Sequence, residues 1–176
     1  MPKRELSVLA SGYTYLEGLR WHDGRLWASD FYTGQVIAVD LQGRVEVICR
    51  VLQQPSGLGW LPDGRLLISS MKDRKLLRRE TDGTLSQHAD LSALTGGPIN
   101  DLVVDDQGRA YVGNFGFDLM AGEPFATTTL VRVDTDGVAQ VVADGLWFPN
   151  GSFITPDGKT PVSYTHLRAH ETKANL

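Results

Sequence analysis

Four polar residues recur at one point in the internal rhythm of this chain. Ser56, Asn100 and Asn150 each lie eight residues before a turn glycine (Gly64, Gly108 and Gly158), and Glu17 lies seven before Gly24, in a unit whose turn is one residue shorter. Small or apolar residues follow each of them: Gly18-Leu19, Gly57-Leu58, Asp101-Leu102 and Gly151-Ser152-Phe153. Brought to a common point, a carboxylate and two amide oxygens form a hard-donor set suited to Ca2+, Mg2+ or Mn2+, with Zn2+ less naturally matched. The same oxygens could equally be hydrated at a channel mouth or cap turns. Spacing alone leaves both readings open.

The elements that would position these residues are legible as repeats. Trp21-His22-Asp23-Gly24-Arg25-Leu26-Trp27 returns as Leu61-Pro62-Asp63-Gly64-Arg65-Leu66-Leu67, as Asp105-Asp106-Gln107-Gly108-Arg109-Ala110-Tyr111, and as Thr155-Pro156-Asp157-Gly158-Lys159, with periods of 40, 44 and 50 residues. A second turn recurs at Gly43, Gly83 and Gly137, which lie 19, 19 and 29 residues after the first. The third unit therefore carries about ten extra residues, placed within 115–129. Asp-Gly turns between β-rich runs mark hairpins, because glycine and Asp or Asn accept the positive φ that matches strand twist. Each unit reads as four strands, and such units stacked face to face are the blades of a β-propeller. In that architecture the innermost strands line a central channel, and the four polar residues form a ring at its mouth.

Composition excludes other classes. Seventeen Lys and Arg against 21 Asp and Glu give a net charge of −4, which argues against a nucleic-acid binder, and 41% hydrophobic residues are ordinary for a chain that buries a core. No apolar run approaches the ~18 residues of a membrane span. The lone Cys49 forbids an internal disulfide and fits a reducing, cytoplasmic compartment. Leu6 to Ala10 is too short an apolar core for a secretory signal. His22, His88 and Cys49 read as structural or surface residues, and Trp21, Trp27, Trp60 and Trp147 as packing between blades.

Glu17-Gly18 before a Trp-His-Asp-Gly turn, Asn100-Asp101, and Phe148-Pro149-Asn150-Gly151 followed by Pro156-Asp157-Gly158-Lys159 resemble the gluconolactonase, regucalcin (senescence marker protein) and luciferin-regenerating enzyme family. The likeness runs over about residues 6–160. It implies a six-bladed, all-β propeller that hydrolyses small lactones with one divalent cation; this chain carries about three blades and the first strand of a fourth. It implies further that Glu17 and Asn150 are metal ligands, that Asn100 lies in the substrate pocket with Asp101 beside it, and that a substrate-facing acid lies near Asp118. A third ligand, an Asp that doubles as general base, belongs to a later blade, which leaves the catalytic base of this chain unknown. Pro98 stands where sugar-lactone members often carry an Arg. A propeller that binds a ligand or partner without catalysis is the alternative, since the fold hosts many functions.

Residues 1–160 read as the partial propeller and 161–176 as a tail similar to a translated adapter or cloning read-through. Pro161 takes the position that Trp27, Leu67 and Tyr111 hold three residues after their glycines, and proline cannot donate to a central strand ladder. The chain alone is expected to expose open sheet faces, to be poorly soluble and to lack lactonase activity.

Overall fold

A computed structural model describes residues 6–165 and 172–173. Four antiparallel units follow in chain order. The first comprises β1 (Leu16–His22), β2 (Arg25–Asp30), β3 (Gln35–Val39) and β4 (Val45–Arg50), and the second β5 (Pro55–Trp60), β6 (Leu66–Ser70), β7 (Lys75–Arg79) and β8 (Leu85–Asp90). The third holds β9 (Ile99–Val104), β10 (Ala110–Asn114), β11 (Thr128–Val133) and β12 (Ala139–Leu146), and the partial fourth β13 (Pro149–Ile154), β14 (Pro161–Thr165) and β15 (Thr172–Lys173). Every sheet is ordered as the chain runs, each strand paired with the next. Among the described residues no helix is long and apolar enough to cross a membrane.

The core lies between blades. Trp27, Val36 and Ala38 of the first blade meet Leu58, Leu66 and Ile68 of the second, and Leu67 and Leu76 of the second meet Leu102, Val112 and Val131 of the third. Strands covered on both faces lack clean alternation for this reason. Two tryptophans depart from the packing role expected of them: Trp27 is buried and Trp60 packs beside it, whereas Trp21 is 58% exposed and Trp147 46%. Trp21 lies on the first blade, and Trp147 stacks on Phe125 of the insertion with ring centroids 5.8 Å apart.

Inner strands converge closely enough to exclude side chains at some positions. A Cβ on Gly57 would come 2.5 Å from the Leu102 backbone nitrogen, and one on Gly18 would come 2.3 Å from the Ser56 carbonyl oxygen. Glycine is required where backbones approach this far.

The fourth sheet does not stop at Thr160. Its turn is one residue longer than that of the second blade, so Ile154 pairs with Pro161 as Trp60 pairs with Leu66. Pro161 is thus the first residue of β14, a position where a strand tolerates proline, and Val162 takes the place of Leu67 opposite Phe153. The tail expected from 161 onward accordingly begins with a paired strand; most of its remainder, including His166 and His170, lies outside the described residues.

At the far side of the second blade, Glu80 is held well below the usual carboxylate range, at about 2, by hydrogen bonds from Ser86 first, then Arg78 and Arg65. A carboxylate depressed in the folded state contributes stability above its unfolded pKa and loses that contribution as pH falls through the folded value. Melts stepped from neutral pH down between 4.5 and about 2 should show this loss, and Glu80→Gln should flatten it. An acid limb of equal slope in the variant would count against the assignment.

Candidate functional site

The four polar residues occupy equivalent places. In each blade the residue before the polar one pairs with the last residue of the second strand: Leu16 with Asp30, Pro55 with Ser70, Ile99 with Asn114 and Pro149 with Thr165. The ladder slips just beyond, between Glu17 and Arg20, Pro55 and Leu58, Ile99 and Leu102, and Pro149 and Ser152. One extra residue in each inner strand makes a bulge, and bulges re-aim side chains at barrel and channel mouths. The spacing of seven rather than eight at Glu17 follows from the tight His22-Asp23-Gly24-Arg25 hairpin, with φ of 48° at Asp23 and 72° at Gly24.

Glu17, Ser56 and Asn150 line one cleft of about 320 Å3, together with Arg20, Asp101 and Gly151. Ser56, buried to 1% exposure, donates its hydroxyl to Glu17 Oε2 at 2.7 Å and lies 3.2 Å from Asn100 Oδ1. A serine has one hydroxyl hydrogen. The nearer carboxylate takes it, and the buried Asn100 oxygen keeps acceptor capacity directed at the same place. The backbone of Ser56 is itself fixed across the blade boundary, its carbonyl accepting from Ser29 Oγ at 2.7 Å. Phe31, Met71 and Phe115, each directly after the second strand of its blade, form one apolar cluster with Phe148 packed against it. In all three blades this residue donates its N–H back to a carbonyl preceding the inner strand: Tyr15, Gln54 and Pro98.

Sequence reasoning missed Arg20. Its Nη2 donates to Asp101 Oδ1 and to the Leu102 carbonyl, both at 2.6 Å, so a side chain of the first blade reaches the third. Nothing in its position one residue before Trp21 announces this reach, because the partner lies 81 residues away. Asp101 lines the cleft through this pair and is only 8% exposed. Asp118 lies elsewhere: in the insertion between β10 and β11 its Oδ1 accepts the backbone N–H groups of Met120 and Ala121, each at 3.0 Å, and it is not among the residues lining the cleft. A short polar side chain at a loop head satisfies its own turn first.

Among the described residues no three His, Cys, Asp or Glu side chains converge. Among the described residues that line the cleft, the donors are the carboxylates of Glu17 and Asp101, the Ser56 hydroxyl and the Asn150 amide, beside the Arg20 guanidinium and without sulfur or imidazole; Asn100 is joined to them through Ser56. This donor chemistry fits Ca2+, Mg2+ or Mn2+ better than Zn2+. Cys49 stays a thiol, burial pushing it up to about 11, and burial lowers the pKa of His88, favouring the neutral ring. Neither lies in the cleft.

Residues 16–165 match the family described as the SMP-30/gluconolactonase/LRE-like region. The chain belongs to this family. It is 29% identical over 145 residues to the pentonolactonase XacC of Haloferax volcanii, covering 80% of this chain and 46% of that protein. Two solved structures share its fold: a gluconolactonase of Xanthomonas campestris, with a TM-score of 0.78 at 23% identity over 96% of this chain and 60% of the other, and the calcium-binding protein regucalcin of Agrobacterium tumefaciens, with 0.76 at 24% identity over 94% and 55%. The chain thus spans about half the length of the curated relative it matches, and the family membership agrees with its reading as a partial propeller.

Proposed function

We propose that this chain carries the cation- and substrate-binding part of a divalent-metal-dependent lactone hydrolase acting on a small, sugar-like lactone in the cytoplasm. The observation that carries the reading is the cleft that Glu17, Ser56, Asp101 and Asn150 line together, with Ser56 joining Glu17 to Asn100. Family membership and the similarity to a pentonolactonase support the reaction class.

In lactone hydrolysis water adds to the ester carbonyl carbon, the ring C–O bond breaks, and a proton reaches the departing alkoxide to leave a hydroxy acid. A bound cation would act as a Lewis acid on the carbonyl oxygen. Glu17 and Asn150 would hold it, Ser56 orients Glu17 by donating to Oε2, and Asn100 and Asp101 meet the substrate's hydroxyls. Asp118 contributes by folding the insertion loop. The general base that activates water is assigned to no residue of this chain, so the chain is expected to bind without turning over. The cytoplasmic placement rests on the single cysteine, Cys49.

Thermal melts with each cation test the reading. A ligand that binds the folded state at about a hundred times its Kd adds about 2.7 kcal/mol. Ca2+, Mg2+ or Mn2+ should raise the melting temperature accordingly, with Zn2+ less effective; no response to any of them would end the proposal.

A further inference from the structure

Among the described residues that line the cleft, Arg20 is the one cation. A guanidinium has five N–H donors. Its Nη2 serves Asp101 Oδ1 and the Leu102 carbonyl at 2.6 Å, and its Nη1 serves the Leu19 carbonyl at 2.9 Å. Two donors, on Nε and Nη1, are committed to no described residue. β9 lies close enough for Arg20 to reach because Gly57 of the intervening β5 lets the Asp101-Leu102 backbone approach, a Cβ there coming 2.5 Å from the Leu102 nitrogen. The side chain is 26% exposed and its partner Asp101 11%, so the head group is braced yet open to the cleft. A fork held in place by an ion pair loses little freedom when it takes a further acceptor.

The surrounding charges select that acceptor. Glu17 and Asp101 share the cleft, which disfavours a multiply charged anion such as phosphate. They also accept hydrogen bonds from hydroxyl groups. A singly charged carboxylate on a chain of hydroxyls matches both features, and the cleft volume of about 320 Å3 falls within the size range of small-molecule sites.

We propose that Arg20, braced by Asp101, is the specificity-determining group of the cleft and presents its charge and an uncommitted N–H donor to the carboxylate of a ring-opened polyhydroxy acid, the product side of the reaction. This rests on the lactonase reading for the identity of the ligand, and it goes beyond that reading in assigning recognition to a residue of the first blade.

Titration calorimetry of the full chain with gluconate, with and without Ca2+, tests the proposal in four proteins: the parent, Arg20→Met, Arg20→Lys and Glu17→Gln. Arg20→Met should weaken gluconate binding about tenfold in both conditions, because a charge-assisted pair is lost. Arg20→Lys, which keeps the charge but not the fork, should weaken it about threefold and decides the matter if the methionine variant does not fold. Glu17→Gln should remove the increment that Ca2+ adds. Gluconate binding unchanged in both Arg20 variants, absent from the parent, or weaker than binding of inorganic phosphate would overturn the role of Arg20. A parent that binds gluconate through Arg20 with no Ca2+ increment would keep Arg20 as the recognition group and defeat the metal-dependent reading instead.

Discussion

Glu17→Gln is expected to weaken Ca2+ binding about a hundredfold, because oxygen sites tune cation affinity over decades by the number of charged ligands. Glu17 lines the cleft with Asn150 and shares the Ser56 hydroxyl with Asn100, and the other lining carboxylate, Asp101, is held by Arg20. The substitution is nearly isosteric and leaves an acceptor for the Ser56 hydroxyl, now 2.7 Å from Glu17 Oε2. The cost to the fold without cation should therefore stay near 1 kcal/mol, the scale of weakening one hydrogen bond. Calorimetric titration and melts with and without Ca2+ separate the two effects. Glu46→Gln, on the outer strand β4 where Glu46 pairs with Arg25, is the matched control and should leave the calcium response intact. A Glu17→Gln protein that binds Ca2+ within about threefold of the parent would move the cation site away from the blade heads.

Gly18→Ala should be the most damaging single-methyl change near the site. Gly18 sits at a φ of +59°, and a Cβ there would lie 2.3 Å from the Ser56 carbonyl oxygen and 3.1 Å from its carbonyl carbon. Those are backbone atoms of β5, tied to the first blade by Ser29 Oγ, so they cannot swing aside as a side chain would. The left-handed conformation costs about 1–2 kcal/mol for a residue with a Cβ, and forced overpacking adds about 1–3 kcal/mol. A loss near 3 kcal/mol corresponds to a fall of about 10 °C in Tm for a chain of this size. Gly24→Ala isolates the clash, because Gly24 has a φ of +72° with nothing within 4 Å of its Cβ position, and it should lose only the conformational part. Equal destabilisation by the two would show that the blade interface yields. The Gly18 variant should also blunt the calcium response, since it pushes Ser56 away from Glu17.

The repeats were legible because a hairpin turn is local chemistry: Asp-Gly at a fixed interval needs no distant partner to be recognised. The shared register of Glu17, Ser56, Asn100 and Asn150 followed from the same intervals, and strand pairing places all four beside equivalent partners. Pro161 was misread because intervals counted from a glycine assume a constant turn, and the fourth turn is one residue longer. Trp21 and Trp147 were misplaced because burial of an aromatic ring depends on which face a neighbouring element covers, and composition does not report that.

From its residues alone this protein is a chain of four-stranded units with an oxygen-bearing position at the head of each, because turns and strand periodicity act over a few residues. Tertiary structure alone decided that Arg20 belongs to the cleft, paired there with Asp101, and that the Asp118 carboxylate serves a turn. An ion pair between residues 81 apart exists only once three inner strands have packed through their glycines, and whether an acid turns outward or caps its own loop depends on which donors the folded loop brings within reach.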